Sequence, residues 1–132
     1  MIKMEIEDFV YIVETDKSFD EAVVSVLKTA ESFGWALFNV YDIRERLAAK
    51  GFEQGPLTII EICSGKHAHQ LLNKNRLISL CMPCKINVIE EEGRVMIVGM
   101  RPMMLTQFFS EVSPEEARCV ENDIIEIVDN AK

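Results

Sequence analysis

The stretch Lys85-Ile86-Asn87-Val88-Ile89-Glu90-Glu91-Glu92-Gly93-Arg94-Val95-Met96-Ile97-Val98-Gly99-Met100 decides the fold. Residues 85–90 and 94–100 are strand formers, and Glu91-Glu92-Gly93 between them supplies turn residues, so the segment predicts a β-hairpin. Both faces of this hairpin are apolar. Ile86, Val88, Val95 and Ile97 compete for burial with Ile89, Met96, Val98 and Met100. Helices on one side of such a sheet leave the other set wet, and a second copy of the chain is the simplest cover, which predicts a homodimer joined through the sheet or its edges.

Upstream of the hairpin, strands and helices alternate. Phe9, Tyr11 and Val13 mark a first strand that ends at Thr15-Asp16-Lys17. Ser18 with Glu21 has the spacing of a capping box, and Phe19, Ala22, Val23, Val26, Leu27 and Ala30 recur at helical steps until Gly34. Trp35 to Tyr41 reads as a second strand, and Asp42 caps a helix through Leu47 to Gly51. Leu57 to Cys63 is a third strand, followed by a short helix that Ser64 caps and that carries Ala68, Leu71 and Leu72. Beyond the hairpin, Pro102 stops the strand and Met103 to Phe109 forms a helical turn. Ser113-Pro114-Glu115-Glu116 then opens a last helix over about 114–130. About five strands closing in a hairpin predict a two-layer α+β fold, with a mostly antiparallel sheet and helices chiefly on one face.

The chain of 132 residues is 48% hydrophobic and 27% charged, which fits one domain over 1–132 and excludes disorder. Its net charge of −8 repels nucleic acid and anionic membranes, so neither is an expected partner. The start MIKMEIEDFV has no apolar core behind basic residues, and no run reaches the ~18 apolar residues of a membrane span. A cytoplasmic protein is expected. In that reducing setting Cys63, Cys81, Cys84 and Cys119 are expected as thiols, ligands or redox groups rather than a disulfide framework.

Cys63 lies just before a helix start, where free backbone N–H groups and the helix dipole favour an anion, and Lys66 follows one turn on. This placement predicts a lowered thiol pKa and makes Cys63 the candidate nucleophile or soft ligand; packing as a small hydrophobe is the competing use. His67 could face the same end of the sheet and shuttle protons, although a half-buried helix histidine is the commoner case. His67 and His69 point about 200° apart on a helix and do not share a metal. Cys81-Met82-Pro83-Cys84 has the spacing of redox dithiols and metal knuckles. Lys85 onward continues as strand, unlike a thioredoxin dithiol, which opens a helix, and a closed zinc site lacks its second ligand pair. Extended backbone at Met82-Pro83 would send Cys81 and Cys84 to opposite faces, whereas a tight turn there would bring them together. The methionines fit core filling better than a copper site, and Glu90-Glu91-Glu92 fits a solvated turn. No phosphate loop, nucleophile elbow, zinc-protease helix or calcium loop is present in the sequence.

Glu61-Ile62-Cys63 before a Lys-x-Ala helix, Met82-Pro83-Cys84-Lys85 entering a strand, and Glu-Glu-Gly-Arg with its return strand together resemble the domain-of-unknown-function family numbered 302, over about residues 8–110. The resemblance is to the branch with Glu-Ile-Cys and Met-Pro-Cys where many members have Gly-Asn-Pro and Asp-Leu-Pro-Leu. It implies a curved-sheet fold like that of the TATA-binding protein, commonly a homodimer, and no established reaction. It singles out Cys63 and Cys84, leaves Cys81 as the less expected ligand, and leaves the last helix with Cys119 outside the shared motifs.

Two functions follow as expectations. In one, Cys63 attacks and Cys84 resolves, with Lys66 and His67 assisting, in redox or sulfur-transfer chemistry; the same two thiols could instead hold a soft metal ion. In the other, the protein is a non-catalytic homodimeric module for a small molecule or a protein, and its cysteines only pack.

Overall fold

A computed structural model describes residues 4–132; residues 1–3 of the single domain expected over 1–132 lie outside the described residues. Its five strands are β1 (Val10–Thr15), β2 (Ala36–Asp42), β3 (Leu57–Cys63), β4 (Cys84–Glu91) and β5 (Arg94–Met100). They form one sheet in the order β1-β5-β4-β3-β2, every neighbouring pair antiparallel. The helices are α1 (Ile6–Phe9), α2 (Phe19–Ser32), α3 (Ile43–Ala48), α4 (Gly65–Lys74) and α5 (Pro114–Ala131), with 3-10 turns at Arg76–Cys81 and Pro102–Gln107. This is the two-layer α+β architecture that the hairpin and the capping signals predict.

Local chemistry explains most boundaries. The Ser18 hydroxyl accepts from Glu21 N–H at 3.2 Å and starts α2. At the other end Gly34 takes φ +79°, and Trp35 N–H returns to the Ala30 carbonyl at 3.0 Å, a glycine-terminated helix end. Ser113 and Glu116 form the reciprocal box expected at the start of α5, with Pro114 in its first turn. The hairpin turn is tighter than expected. Glu91 still pairs with Arg94, so only Glu92 and Gly93 turn the chain, with φ +51° and +76°, a pairing suited to the right-handed twist of the flanking strands. Phe9 belongs to α1 rather than to the first strand, and Trp35 precedes β2. A bulge between Leu37 and Asn39 leaves Phe38 without a partner in β3 and 60% exposed.

The core lies between the sheet and the helices. Ile60, Ile62, Ile86, Val88 and Ile97 point to one face and are completely buried beneath Ala22 and Val26 of α2 and Ile124, Ile127 and Val128 of α5. Gly99 makes this packing possible, because a Cβ there would sit 2.8 Å from Ile124 Cγ2 and 3.3 Å from Val128 Cγ2. Alternation sends Val10, Ile12, Met96, Val98, Met100, Lys85, Asn87, Ile89, Ile59 and Tyr41 to the opposite, open face. α3 leans on β2 and β3, its Arg46 guanidinium 5.0 Å from the centre of the Tyr41 ring.

Candidate functional site

Cys63 ends β3, and Ser64 caps α4 through a 3.5 Å bond from His67 N–H to its hydroxyl. The junction is therefore the strand end and helix start read from the sequence. Its electrostatics are not those expected. Burial raises the Cys63 pKa above its usual value, so the anticipated lowering is overturned. The physical reason is that removing a thiolate from water opposes its formation. Cys84, at the start of β4, is pushed up to about 12, chiefly by burial and next by the neighbouring Cys63 thiol, against the lowering pull of Lys85.

The register explains why two thiols so close in the sheet do not face each other. Ile62, not Cys63, is the cross-strand partner of Cys84, so alternation turns Cys84 toward the helices and Cys63 toward the open face. Cys81 ends the 3-10 turn and lines a cavity on the open face with Pro83 and Lys85. The Met82–Pro83 peptide bond between Cys81 and Cys84 is cis. All four cysteines are free thiols, and among the described residues no group of three or more His, Cys, Asp or Glu is placed to hold a metal ion.

His67 is drawn into a different cluster. Its Nε2 lies 3.3 Å from Asp123 Oδ2 on α5, and the same oxygen accepts from Trp35 Nε1–H at 3.1 Å. The indole and imidazole rings are 5.9 Å apart. Lys66 lines a cavity between α4 and α5 with His67, Gln70 and Cys119. Sequence reading missed Asp123 because nothing in the spacing of a helix names its partner 56 residues away.

The other feature it missed is a cavity of about 320 Å³ on the open face, lined by Phe9, Val10, Leu80, Cys81, Pro83, Lys85, Asn87, Val98 and Met100. It joins the end of α1, the 3-10 turn and strands β1, β5 and β4. Its rim is strongly apolar: Leu80 is 87% exposed and Phe9 45%, with Ile12 beside them on β1 at 52%. The Lys85 ammonium at its edge pairs with Glu61 at 3.6 Å. Asn87 lies near the middle of the central strand between Val98 and Ile59. Its Oδ1 is buried and, among the described residues, is the one such side-chain oxygen or nitrogen with no hydrogen-bond partner.

An open five-stranded antiparallel sheet with its long helices on one side and a groove on the other defines a small two-layer α+β domain. The sequence profile of the family described as Domain of unknown function DUF302 matches residues 11–131, so the chain belongs to that family. The match includes α5, which the motifs alone had placed outside the resemblance. The chain is similar to a solved structure, the crystal structure of uncharacterized conserved protein DUF302 from Bacillus stearothermophilus, with 25% identity and a TM-score of 0.86. That similarity covers 94% of this chain and 98% of the other. No curated protein matches the chain.

Proposed function

We propose that the protein is a non-catalytic, homodimeric binding module that takes a small, largely apolar molecule into the groove on the open face of its sheet. The observation that carries this reading is the groove itself, roughly 320 Å³ between Phe9, Leu80, Val98 and Met100, at the small end of the ~300–1,000 Å³ of ligand pockets. The thiols support it from the other side. Burial raises the pKa of Cys63 and pushes that of Cys84 up to about 12, which opposes the attacking or metal-binding thiolate that thiol chemistry needs. Their use as packing groups also suits four free cysteines in a reducing cytoplasm.

The second copy is assigned to the same face. Phe9, Ile12 and Leu80 offer exposed apolar surface around a region whose one cation, Lys85, is already paired, while the chain as a whole carries −8. Two such patches can meet across a two-fold axis with little charge brought together. Among the described residues no helix is long and apolar enough to cross a membrane, and the patch is read as a protein and ligand surface.

Sedimentation equilibrium at micromolar concentration tests the assembly, and the fluorescence of added 1-anilinonaphthalene-8-sulfonate tests the groove. The native protein is expected to sediment as a dimer and bind the dye. Ile12→Glu is expected to give a folded monomer, and Met100→Glu a folded protein with dye binding lost. A native monomer would overturn the dimer, and dye binding undiminished by Met100→Glu would overturn the groove.

A further inference from the structure

We infer that Met4, Met103 and Met104 form a thioether site for a soft monovalent cation of the Cu(I) and Ag(I) class. The inference is independent of the groove, because no residue that lines this site lines the groove.

Methionine has a distinctive place in this chain. The buried hydrophobic residues of the core are Ala, Val, Ile, Leu and Trp, and none of the six described methionines is among them. Three of the six meet instead at one cavity of about 220 Å³, whose other lining residues are Asp8, Thr106 and Gln107. Local structure explains the meeting. With three residues per turn, the 3-10 segment Pro102–Gln107 buries Pro102 and Leu105 on one side and leaves Met103 and Met104 half-buried beside them. Its backbone is pinned at both ends of that step: Met103 N–H donates to Glu121 Oε1 of α5 at 3.3 Å, and the Thr106 hydroxyl donates to the Met103 carbonyl at 2.7 Å. α1 packs against this segment, and Met4 precedes its cap, Glu5, whose N–H donates to Asp8 Oδ2 at 2.9 Å. A round cavity of this volume is roughly 7 Å across, within reach of the three rotatable bonds of each methionine side chain.

The sulfurs decide the class of ligand. Thioethers are neutral and soft, so they select Cu(I) and its congener Ag(I) over Mg²⁺ and Ca²⁺, which take hard oxygen ligands. They have no proton to lose, so the desolvation that opposes thiolate formation at Cys63 and Cys84 does not oppose binding here. No lysine or arginine lines the cavity, and Asp8 lies on its wall, an arrangement that favours a cation.

Cysteine thiols also bind soft ions, so the titration uses the full chain carrying Cys63→Ser, Cys81→Ser, Cys84→Val and Cys119→Ser, with the native chain after thiol alkylation as a second sample. Carbon NMR of protein enriched at the methionine ε-methyl groups reads each thioether separately. One equivalent of Ag(I) is expected to shift the Met4, Met103 and Met104 signals together and to leave those of Met82, Met96 and Met100 in place, and Mg²⁺ is expected to move none. Met103→Leu and Met104→Leu, which keep the apolar volume, are each expected to weaken Ag(I) binding at least about tenfold, no less than the loss of an outer partner of a metal ligand costs. Signals of the three methionines that shift separately, an equal response at Met96 and Met100, or binding undiminished in both leucine variants overturns the site. An equal response to Mg²⁺ overturns the soft-cation class.

Discussion

Ile62 stands directly across from Cys84 on neighbouring strands, which places Cys63 one residue past the register and on the other side of the sheet. Two cysteines that look like a pair in the sequence are thereby divided by the thickness of a β-sheet, one set against the helices and one turned to the open face. Their thiols influence each other electrostatically without sharing a surface.

Thiol reactivity is the direct check of that arrangement. In mildly alkaline buffer, alkylation followed by peptide mass spectrometry is expected to modify the exposed Cys119 first, Cys63 more slowly and Cys84 last. Rapid labelling of Cys84 before Cys119 would contradict the burial that holds its proton.

The same burial sets a pH dependence. Cys84 is raised in the folded state above its ordinary value of 9.0 to about 12, so folded protein keeps a proton that unfolded protein gives up in that interval. Its contribution to stability is complete below about pH 9 and is lost as pH rises toward 12. Denaturant unfolding across that range is expected to show the native protein losing more stability than Cys84→Val, which cannot titrate; parallel curves would refute the assignment.

Packing at Gly99 admits a sharper test of the fold. A methyl group there meets Ile124 Cγ2 at 2.8 Å and Val128 Cγ2 at 3.3 Å, on side chains fixed in the core. Gly99→Ala is expected to destabilise the protein by about 1–3 kcal/mol, the usual range for overpacking, and to lower Tm accordingly. An unchanged Tm would mean that α5 can move away from β5 at no cost.

Asp123 holds two donors from two other elements, Trp35 Nε1–H and the His67 ring. Asp123→Ala leaves both without their acceptor, and with the aspartate side chain 36% exposed water replaces part of the loss. The expected cost is about 1–2 kcal/mol. Trp35 is the single tryptophan, so its emission is expected to shift to the red as water reaches the indole, and an unaltered spectrum would show that Asp123 does not hold it.

Much of this protein was written locally. The hairpin at 85–100, the Ser18, Ser64 and Ser113 caps and the Gly34 helix end are each decided by residues within a few positions of one another, because caps and turns satisfy nearby backbone groups. Cys63 at a strand end before a helix was legible for the same reason. Its pKa was not, since burial depends on what packs over the sulfur and not on which residue follows it.

By itself, then, the sequence determined the elements, their order along the chain and the apolar character of both hairpin faces. Tertiary structure alone decided which strands became neighbours. Inserting β5 between β1 and β4 sets Val10 across from Met100 and Asn87 across from Val98, and Phe9 at the end of α1 and Leu80 in the 3-10 turn close the groove around them. No local pattern encodes that meeting. Strand pairing is chosen by the total apolar surface buried beneath α2 and α5, a sum over residues far apart in the chain, and the groove is what that choice leaves on the other side.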